Sequence, residues 1–554
     1  MWKNYFKLSL RRLYKNKGFA LLHIFGLTLG VTACMLISAY VWHEFQYDRF
    51  HEKGERIYRL NTDLQFSDQT LELALAAGPA APALQEEIPG IRDFVRFANP
   101  GSPLLVEKGA DVRYESSVFY VDSTLFSVFE FDLISGNETH ALSGPYQMVL
   151  TESKARSWFG NTHPVGESLV VDGEKYEVTG VVADIPQNSH LQFDILLSFS
   201  SWVIDHPPTR TNWGWTPFPT YLLLEENVDP RAVADQLPVV LERHVPSENT
   251  DLKMALGLQP FEAIHFGPSR LGELAPVGNK SSLYFLSLVA MLILLLAVVN
   301  YVNLSLASYE GRSREIGVRK TIGASSTQIG LRYLSEGWVL SIASVGLALL
   351  FTIFLLPVFG DWFDRNLQFA GRQLLPIAVI VVAFAALLGL ITAAYPSFVA
   401  ASLKPVAIFR GKGLGNLGQV KIRKVFTIAQ FAISIGLLIG AIAVFRQLNY
   451  VLHKDLGFDR SGKLVVEFGN TESLQVPYSV IKSKLSEVHR VIKNSNRLLF
   501  FICKRAPAIF STIIQRLSTS ISINTDCQRG TSPAVRSSLG RISMVSPPSW
   551  RTPT

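Results

Sequence analysis

Cysteine is scarce in this chain, with three in 554 residues. Cys34 lies inside an apolar run, and Cys503 and Cys527 lie near the end. The long polar stretch 43–282 has none. That excludes a disulfide framework there, and a cysteine-based metal site with it. Acid is absent or nearly so at both ends of the chain. Residues 1–17 carry Lys3, Lys7, Arg11, Arg12, Lys15 and Lys17 and no acid. From His489 onward ten Lys/Arg stand against one acid, Asp526. The net charge of +7 therefore belongs to the last stretch. It gives no support for nucleic-acid binding. Catalytic motifs are missing too. His43-Glu44 lacks the second histidine of a zincin. His43, Asp48, His51 and Glu52 have no metal-ligand spacing, and polar residues just outside a span ordinarily anchor it. Gly413-Leu414-Gly415-Asn416-Leu417-Gly418 has the spacing of a dinucleotide loop and of a P-loop. No strand precedes it, however, and Gln419-Val420 replaces the lysine and hydroxyl that hold phosphate and magnesium. The chain is expected to hydrolyse no ATP itself, and to need no cofactor and no metal.

What the chain does have is long apolar runs. Hydrophobic residues make up 48% of it. That is too polar for membrane spans alone, and it suits spans plus a large water-exposed domain. Five runs approach or exceed the roughly 20 residues that a bilayer needs. They are 19–42, 283–307, 337–359, 374–401 and 425–445. The first is too long for a signal-peptide core and no small-x-small site follows it, so it reads as a retained anchor. Residues 1–18 precede it as an amphipathic helix, with Trp2, Phe6, Leu10 and Leu13 at helical spacing. Residues 43–282 read as an α+β domain. Leu169-Val170-Val171, Asp172-Gly173 and Tyr176-Glu177-Val178 predict a hairpin with a type I′ turn. Thr151 is placed to cap a helix ending near Gly160.

The loops alternate in charge. Residues 310–332 hold five Lys/Arg, 361–373 hold two basic and two acidic residues, and the linker 402–424 holds six basic residues and no acid. The positive-inside rule puts the N-terminus and both basic loops in the cytoplasm, and the large domain outside. A weak repeat relates 15–60 to 421–466: basic residues, a span, a Gln/Tyr-bearing polar segment and a strand. Residues 446–488 thus read as the start of a second outer domain. Residues 489–554 change in texture and charge together, and read as a frameshifted or disordered tail.

The segment between the second and third spans, 308–336, is longer than a turn requires. It is basic, it holds a short apolar stripe, and Gly323 divides it. Arg314-Glu315-Ile316-Gly317-Val318-Arg319-Lys320, followed by Gly323-Ala324-Ser325, resembles the coupling segment of MacB/FtsX-type ABC transporter permeases. Tyr47-Asp48-Arg49-Phe50-His51 with Arg56-Ile57-Tyr58-Arg59 resembles the stretch beyond that family's first span. Val149-Leu150-Thr151-Glu152, Trp158-Phe159-Gly160, Pro164-Val165-Gly166 and 179–186 resemble its extracytoplasmic core domain. Tyr395-Pro396-Ser397 with Leu403-Lys404-Pro405 resembles the exit of a later span. The likeness covers about 1–488, in the family form with two outer domains. A complete member of that form has a second outer domain and three more spans, so this chain reads as truncated.

The resemblance implies a bacterial inner-membrane permease that relays ATP-driven motion of a separate ABC ATPase to an outer domain, for export or efflux. Arg314, Glu315, Ile316, Gly317, Val318, Arg319, Lys320, Gly323, Ala324 and Gln328 would meet the ATPase, with Ile316 and Ile322 able to fill a groove in it. Glu336 would support the segment by pairing with Arg319, Lys320 or Arg332. The implied partners are the ATPase, membrane lipids, and an adaptor or outer-membrane component. The implied assembly is dimeric or pseudo-dimeric. One alternative is a non-transporting, FtsX-like regulator of envelope processes. Less favoured are a secondary transporter, which needs a broken span or buried charge at midplane, and a membrane-anchored periplasmic sensor.

Overall fold

The computed structural model describes residues 11–454, apart from 12–13, 16, 67–68, 161–162, 246–251, 311–312, 364, 366, 368–373 and 403–416, together with 465–466 and 501–502. The second-domain and tail readings, the 402–424 linker and most of the N-terminal amphipathic helix lie largely or wholly outside the described residues. The expected class is what the structure shows: membrane-length helices and a mixed sheet-rich domain.

The helices in chain order are α1 (Lys17–Phe45), α2 (Ala80–Glu87), α3 (Leu125–Val128), α4 (Glu152–Phe159), α5 (Phe199–Asp205), α6 (Pro230–Ala234), α7 (Leu237–His244), α8 (Lys280–Glu310), α9 (Ser313–Thr321), α10 (Ser326–Trp362), α11 (Leu374–Ser402) and α12 (Leu417–His453). The strands are β1 (Ile57–Phe66), β2 (Gln69–Leu73), β3 (Ile91–Ala98), β4 (Leu104–Lys108), β5 (Asp111–Glu115), β6 (Val118–Val121), β7 (Leu133–Gly136), β8 (Gln147–Thr151), β9 (Ser168–Val171), β10 (Glu174–Val182), β11 (Ile195–Ser198), β12 (Thr220–Leu224) and β13 (Leu252–Pro260).

The larger of two units holds the membrane helices and most of the sheet. Its strands run β13-β1-β12-β3-β6-β11-β8-β10, with β2 added to β1 and β7 to β10. Pairing is antiparallel along β1, from Tyr58↔Pro260 to Phe66↔Leu252. It is parallel between β8 and β10. The alternation of β1 puts Leu60 inward, where it meets Ala81, Leu84 and Ile88 of the α2 region, Leu222 of β12, and Leu237 and Val240 of α7. Each such fully buried Leu, Ile or Val side chain contributes roughly 1.5–3 kcal/mol. Thr151 caps α4 by accepting from the Lys154 amide, and Gly160 ends it with φ 67°.

The smaller unit contains Asn99–Phe119 and Ser168–Tyr176. In it β4 pairs with β5 and with β9, both antiparallel. Asp172 and Gly173 have φ 49° and 91°, the two positive values that a type I′ turn requires.

Among the described residues five helices are long and apolar enough to cross a membrane: Lys17–Phe45, Lys280–Ser308, Ser326–Trp362, Ala378–Ser402 and Lys424–His453. The first four share a seam of Leu27 and Val31, Ala297 and Tyr301, Leu340 and Ala348, and Ala385 and Leu388. Small residues let the backbones approach. A Cβ on Gly337 would lie 2.4 Å from the Ala393 Cβ, so α10 and α11 meet at a point that only glycine fits. Buried polar groups join the helices as well. The His23 ring lies 3.2 Å from Ser305 Oγ, Ser341 Oγ lies 3.1 Å from Thr392 Oγ1, and Thr28 donates to the Ser344 carbonyl at 3.3 Å. α12 stands apart. Asn303 donates to Gln430 at 3.4 Å, while Ile428, Phe431, Ile435 and Leu438 are exposed.

Candidate functional site

Two elements build the segment expected to couple: α9 and the first turns of α10. Gly323 joins them. Its φ is 98°, its N–H donates to the Lys320 carbonyl at 3.1 Å, and the Ala324 N–H donates to the Arg319 carbonyl at 3.0 Å. This is a Schellman C-cap, which favours glycine at the left-handed position. Ser325 then starts α10 with a capping box. Its hydroxyl accepts from the Gln328 amide at 3.2 Å, and the Gln328 side chain accepts from the Ser325 amide at 3.1 Å. The corner between the helices is therefore fixed by local chemistry at both ends.

The inner face of the corner is apolar. Ile316 packs with Ile329, Tyr333 and Ala400, and Ala324 closes the cluster. Ile316 is only 1% exposed. This corrects the expectation that Ile316 fills a partner's groove, because its apolar surface is already spent on α10 and α11. Gly317 is buried beside it. The exposed face carries Arg314, Val318 and Ile322, four residues apart and so in line on a helix. Ile322 is 81% exposed and Val318 46%.

The charges divide between fastening and display. Glu315 Oε1 accepts from Arg319 Nε at 3.1 Å and from Arg332 at 3.3 Å, tying α9 to α10. Lys320 Nζ donates to the Ala401 carbonyl at 2.6 Å and to Ser326 Oγ at 3.1 Å. It closes the C-terminal end of α11, where carbonyls lack partners and a cation is favoured. Burial lowers the Lys320 pKa. Glu336 is buried on α10, one turn beyond Arg332. Glu315 is the carboxylate that holds both Arg319, one helical turn on, and Arg332, on the next helix.

A second polar cluster lies at the other end of α1. Glu44 is buried, and its Oε2 accepts from His265 Nε2 at 2.8 Å. Arg365, from the connection between α10 and α11, lies 3.3 Å from its other oxygen. Tyr47 stacks on His265 at 3.7 Å, and its hydroxyl donates to the Ser189 carbonyl. Asp48 accepts from the His190 amide at 2.9 Å and pairs with its ring at 2.8 Å; the far ring nitrogen is 2.7 Å from the Tyr221 hydroxyl. Burial alone would raise the Asp48 carboxyl. The charge and hydrogen bonds of His190 outweigh it and hold the pKa below the ordinary value. These residues anchor the span to the domain. Among the described residues no group of three or more His, Cys, Asp or Glu is arranged to hold a metal.

The MacB-like periplasmic core domain family matches residues 20–239, and the FtsX-like permease C-terminal family matches 287–405. The chain belongs to the MacB/FtsX-type ABC transporter permeases. This permease is 21% identical to the ABC transporter permease YknZ of Bacillus subtilis over 351 residues, which is 61% of this chain and 82% of that one. It is 24% identical to the macrolide export ATP-binding/permease protein MacB of Burkholderia cenocepacia over 405 residues, or 70% of this chain. It spans about half the length of that relative, 54%. The crystal structure of the periplasmic region of MacB from Actinobacillus actinomycetemcomitans is similar over 38% of this permease and 91% of that chain, at 15% identity and a TM-score of 0.29. The FtsX-like match takes in α9, α10 and α11, so the corner described above lies inside it.

Proposed function

We propose that this permease is the membrane subunit of a bacterial inner-membrane ABC transporter, with its N-terminus and the α9 corner in the cytoplasm and its sheet domain outside. A separate ATPase presses on the corner, and the spans carry the motion outward in the service of export. The observation that carries this reading is the division of α9. One face is locked to α10 and α11 by Ile316, Glu315 and Lys320, and the other displays Arg314, Val318 and Ile322. A push on the displayed face has to move the spans, because the locked face leaves no slack. The names of the relatives support export as the direction, and the MacB relative's name joins ATP binding to the permease. α11 runs unbroken past Gly389, which faces the Trp338 ring. That favours a relay over a midplane substrate site of the secondary-transporter kind. In this reading an adaptor or outer-membrane component and a second permease chain complete the assembly.

The test uses Arg314→Glu with Ile322→Asp. Both side chains lie on the displayed face, so insertion should be normal. Interface energy concentrates in a few anchors, and losing roughly 2 kcal/mol or more lowers recovery of the co-purifying ATPase at least about tenfold. Recovery equal to the parent's, with equal stimulation of ATP hydrolysis, sinks the proposal.

A further inference from the structure

The relay reading leaves open where the motion crosses from the spans to the outer domain. α10 offers the straightest path. It runs unbroken for 37 residues from its cap at Ser325 to Trp362, about 55 Å at the helical rise. Pro357 falls only in its last two turns. Three residues beyond its end the chain turns back. The Arg365 amide donates to the Gly360 carbonyl at 3.0 Å, and a Cβ on Gly360 would strike the Arg365 carbonyl oxygen at 2.3 Å. The position of Arg365 is thus set by the end of α10 itself.

Arg365 then reaches across to Glu44. That carboxylate is nearly buried, with its side chain 4% exposed. Its Oε1 has no hydrogen bond among the described residues, and Arg365 Nε at 3.3 Å supplies the compensating charge. Its Oε2 is bonded to His265, which lies on the segment that leads out of β13. His43, 4.0 Å away, also faces Glu44. The Arg365 guanidinium lies 5.8 Å from the centre of the Tyr47 ring, and that ring stacks on His265. A buried charge is tolerated only while its partner stays in place. The loop and the domain are therefore obliged to move together.

We infer that Arg365 is a positioning residue for the relay: it fastens the outer end of α10 to the outer domain through Glu44 and His265. This rests on the relay reading. It assigns the crossing point to an ion pair between segments that are remote in sequence, and it makes Glu44 the shared member of two contacts. The coupling corner lies at the opposite end of α10, so the inference separates two events. ATPase docking belongs to α9, and delivery of motion belongs to Arg365.

The experiment uses the full chain with its co-purifying ATPase in lipid nanodiscs, with Cys34, Cys503 and Cys527 replaced. Spin labels at Glu138→Cys in the outer domain and Ser281→Cys at the start of α8 report a distance with and without ATP. Arg365→Gln is expected to reduce the ATP-dependent change at least twofold, while ATPase recovery and ATP hydrolysis stay at the parent's level. Arg365→Lys restores the change, because it restores the charge. Glu44→Gln, which keeps a hydrogen-bond partner for His265, gives the same loss as Arg365→Gln. A merely structural role would lower ATPase recovery and motion together. An ATP-dependent change as large in Arg365→Gln or Glu44→Gln as in the parent overturns the inference. If the parent itself shows no change, the relay reading has failed, and that outcome is distinct.

Discussion

His51 shows what burial does to a single titratable group at the base of the sheet domain. It is 5% exposed and lies against the rings of Phe129, Phe131 and Phe261. One ring nitrogen accepts from the Glu130 amide at 3.3 Å, and the other is buried with no hydrogen bond among the described residues. Burial lowers its pKa from 6.5 to about 4, with Asp48 opposing and His190 adding to the shift. The sign follows from proton counting. Between about pH 6.5 and 4 the unfolded chain binds a proton that the folded chain does not, so stability rises with pH and is lost as pH falls through that window. A shift of this size corresponds to about 3 kcal/mol. Asp48 works in a lower window. Its pKa is depressed, so its contribution is present above the ordinary carboxylate range and is lost only below it. Denaturant midpoints of the sheet domain, followed by tryptophan fluorescence in the whole chain, should fall between pH 7 and pH 4.5. His51→Phe should flatten that fall by about 2–3 kcal/mol. An unchanged acid limb in His51→Phe would mean that other groups control it.

At the scale of elements, the α9–α10 corner is a rigid bend made from inexpensive parts. Gly323 is needed for its φ of 98°; a β-carbon there costs about 1 kcal/mol. Ser325→Ala should remove a cap worth about 1 kcal/mol. Hydrogen exchange of the amides from Ser326 to Ile329 should rise roughly fivefold in Ser325→Ala, and rates equal to the parent's would show that tertiary packing alone holds the turn. Such corners were legible in the sequence because their signals are local: Gly323-Ala324-Ser325, the Thr151 cap with Gly160, and the Asp172-Gly173 turn. The facing of α9 was not legible. Ile316, Val318 and Ile322 are all apolar and sit within two turns, and nothing in a nine-residue helix says which of them the rest of the chain will cover. Ile316 is covered because Ala400 and Tyr333, from two other helices, converge on it. The Glu44–Arg365 and Asp48–His190 pairs were hidden for the same reason. Each joins residues far apart in sequence, so spacing carried no sign of them, and the cluster around His43 could be read only as polar residues beyond a span.

At the scale of the whole molecule, the proposal stands on which side of the membrane each end of α10 faces. The loop charges argue for one answer. Residues 310–332 carry five basic residues, and 361–373 are balanced by Asp361 and Asp364. Lys and Arg in short loops set orientation, whereas acidic residues contribute little. The two ends of α10 differ in the same way. Its start lies beside Arg319, Lys320 and Arg332, and its end lies beside Arg365, whose charge is committed to Glu44. The corner should therefore face the cytoplasm and the β9–β10 turn the outside. Single cysteines at Glu174 and Thr327, both exposed positions, should separate the two in a chain stripped of its native cysteines. In intact cells an impermeant maleimide should label Glu174→Cys and leave Thr327→Cys unlabelled until the membrane is opened. Labelling of both in opened membranes shows that each thiol is accessible, so protection of Thr327→Cys in cells reports its side of the bilayer. The reverse pattern would put the coupling corner outside, where no ATP-driven partner could reach it, and the relay would have to be abandoned.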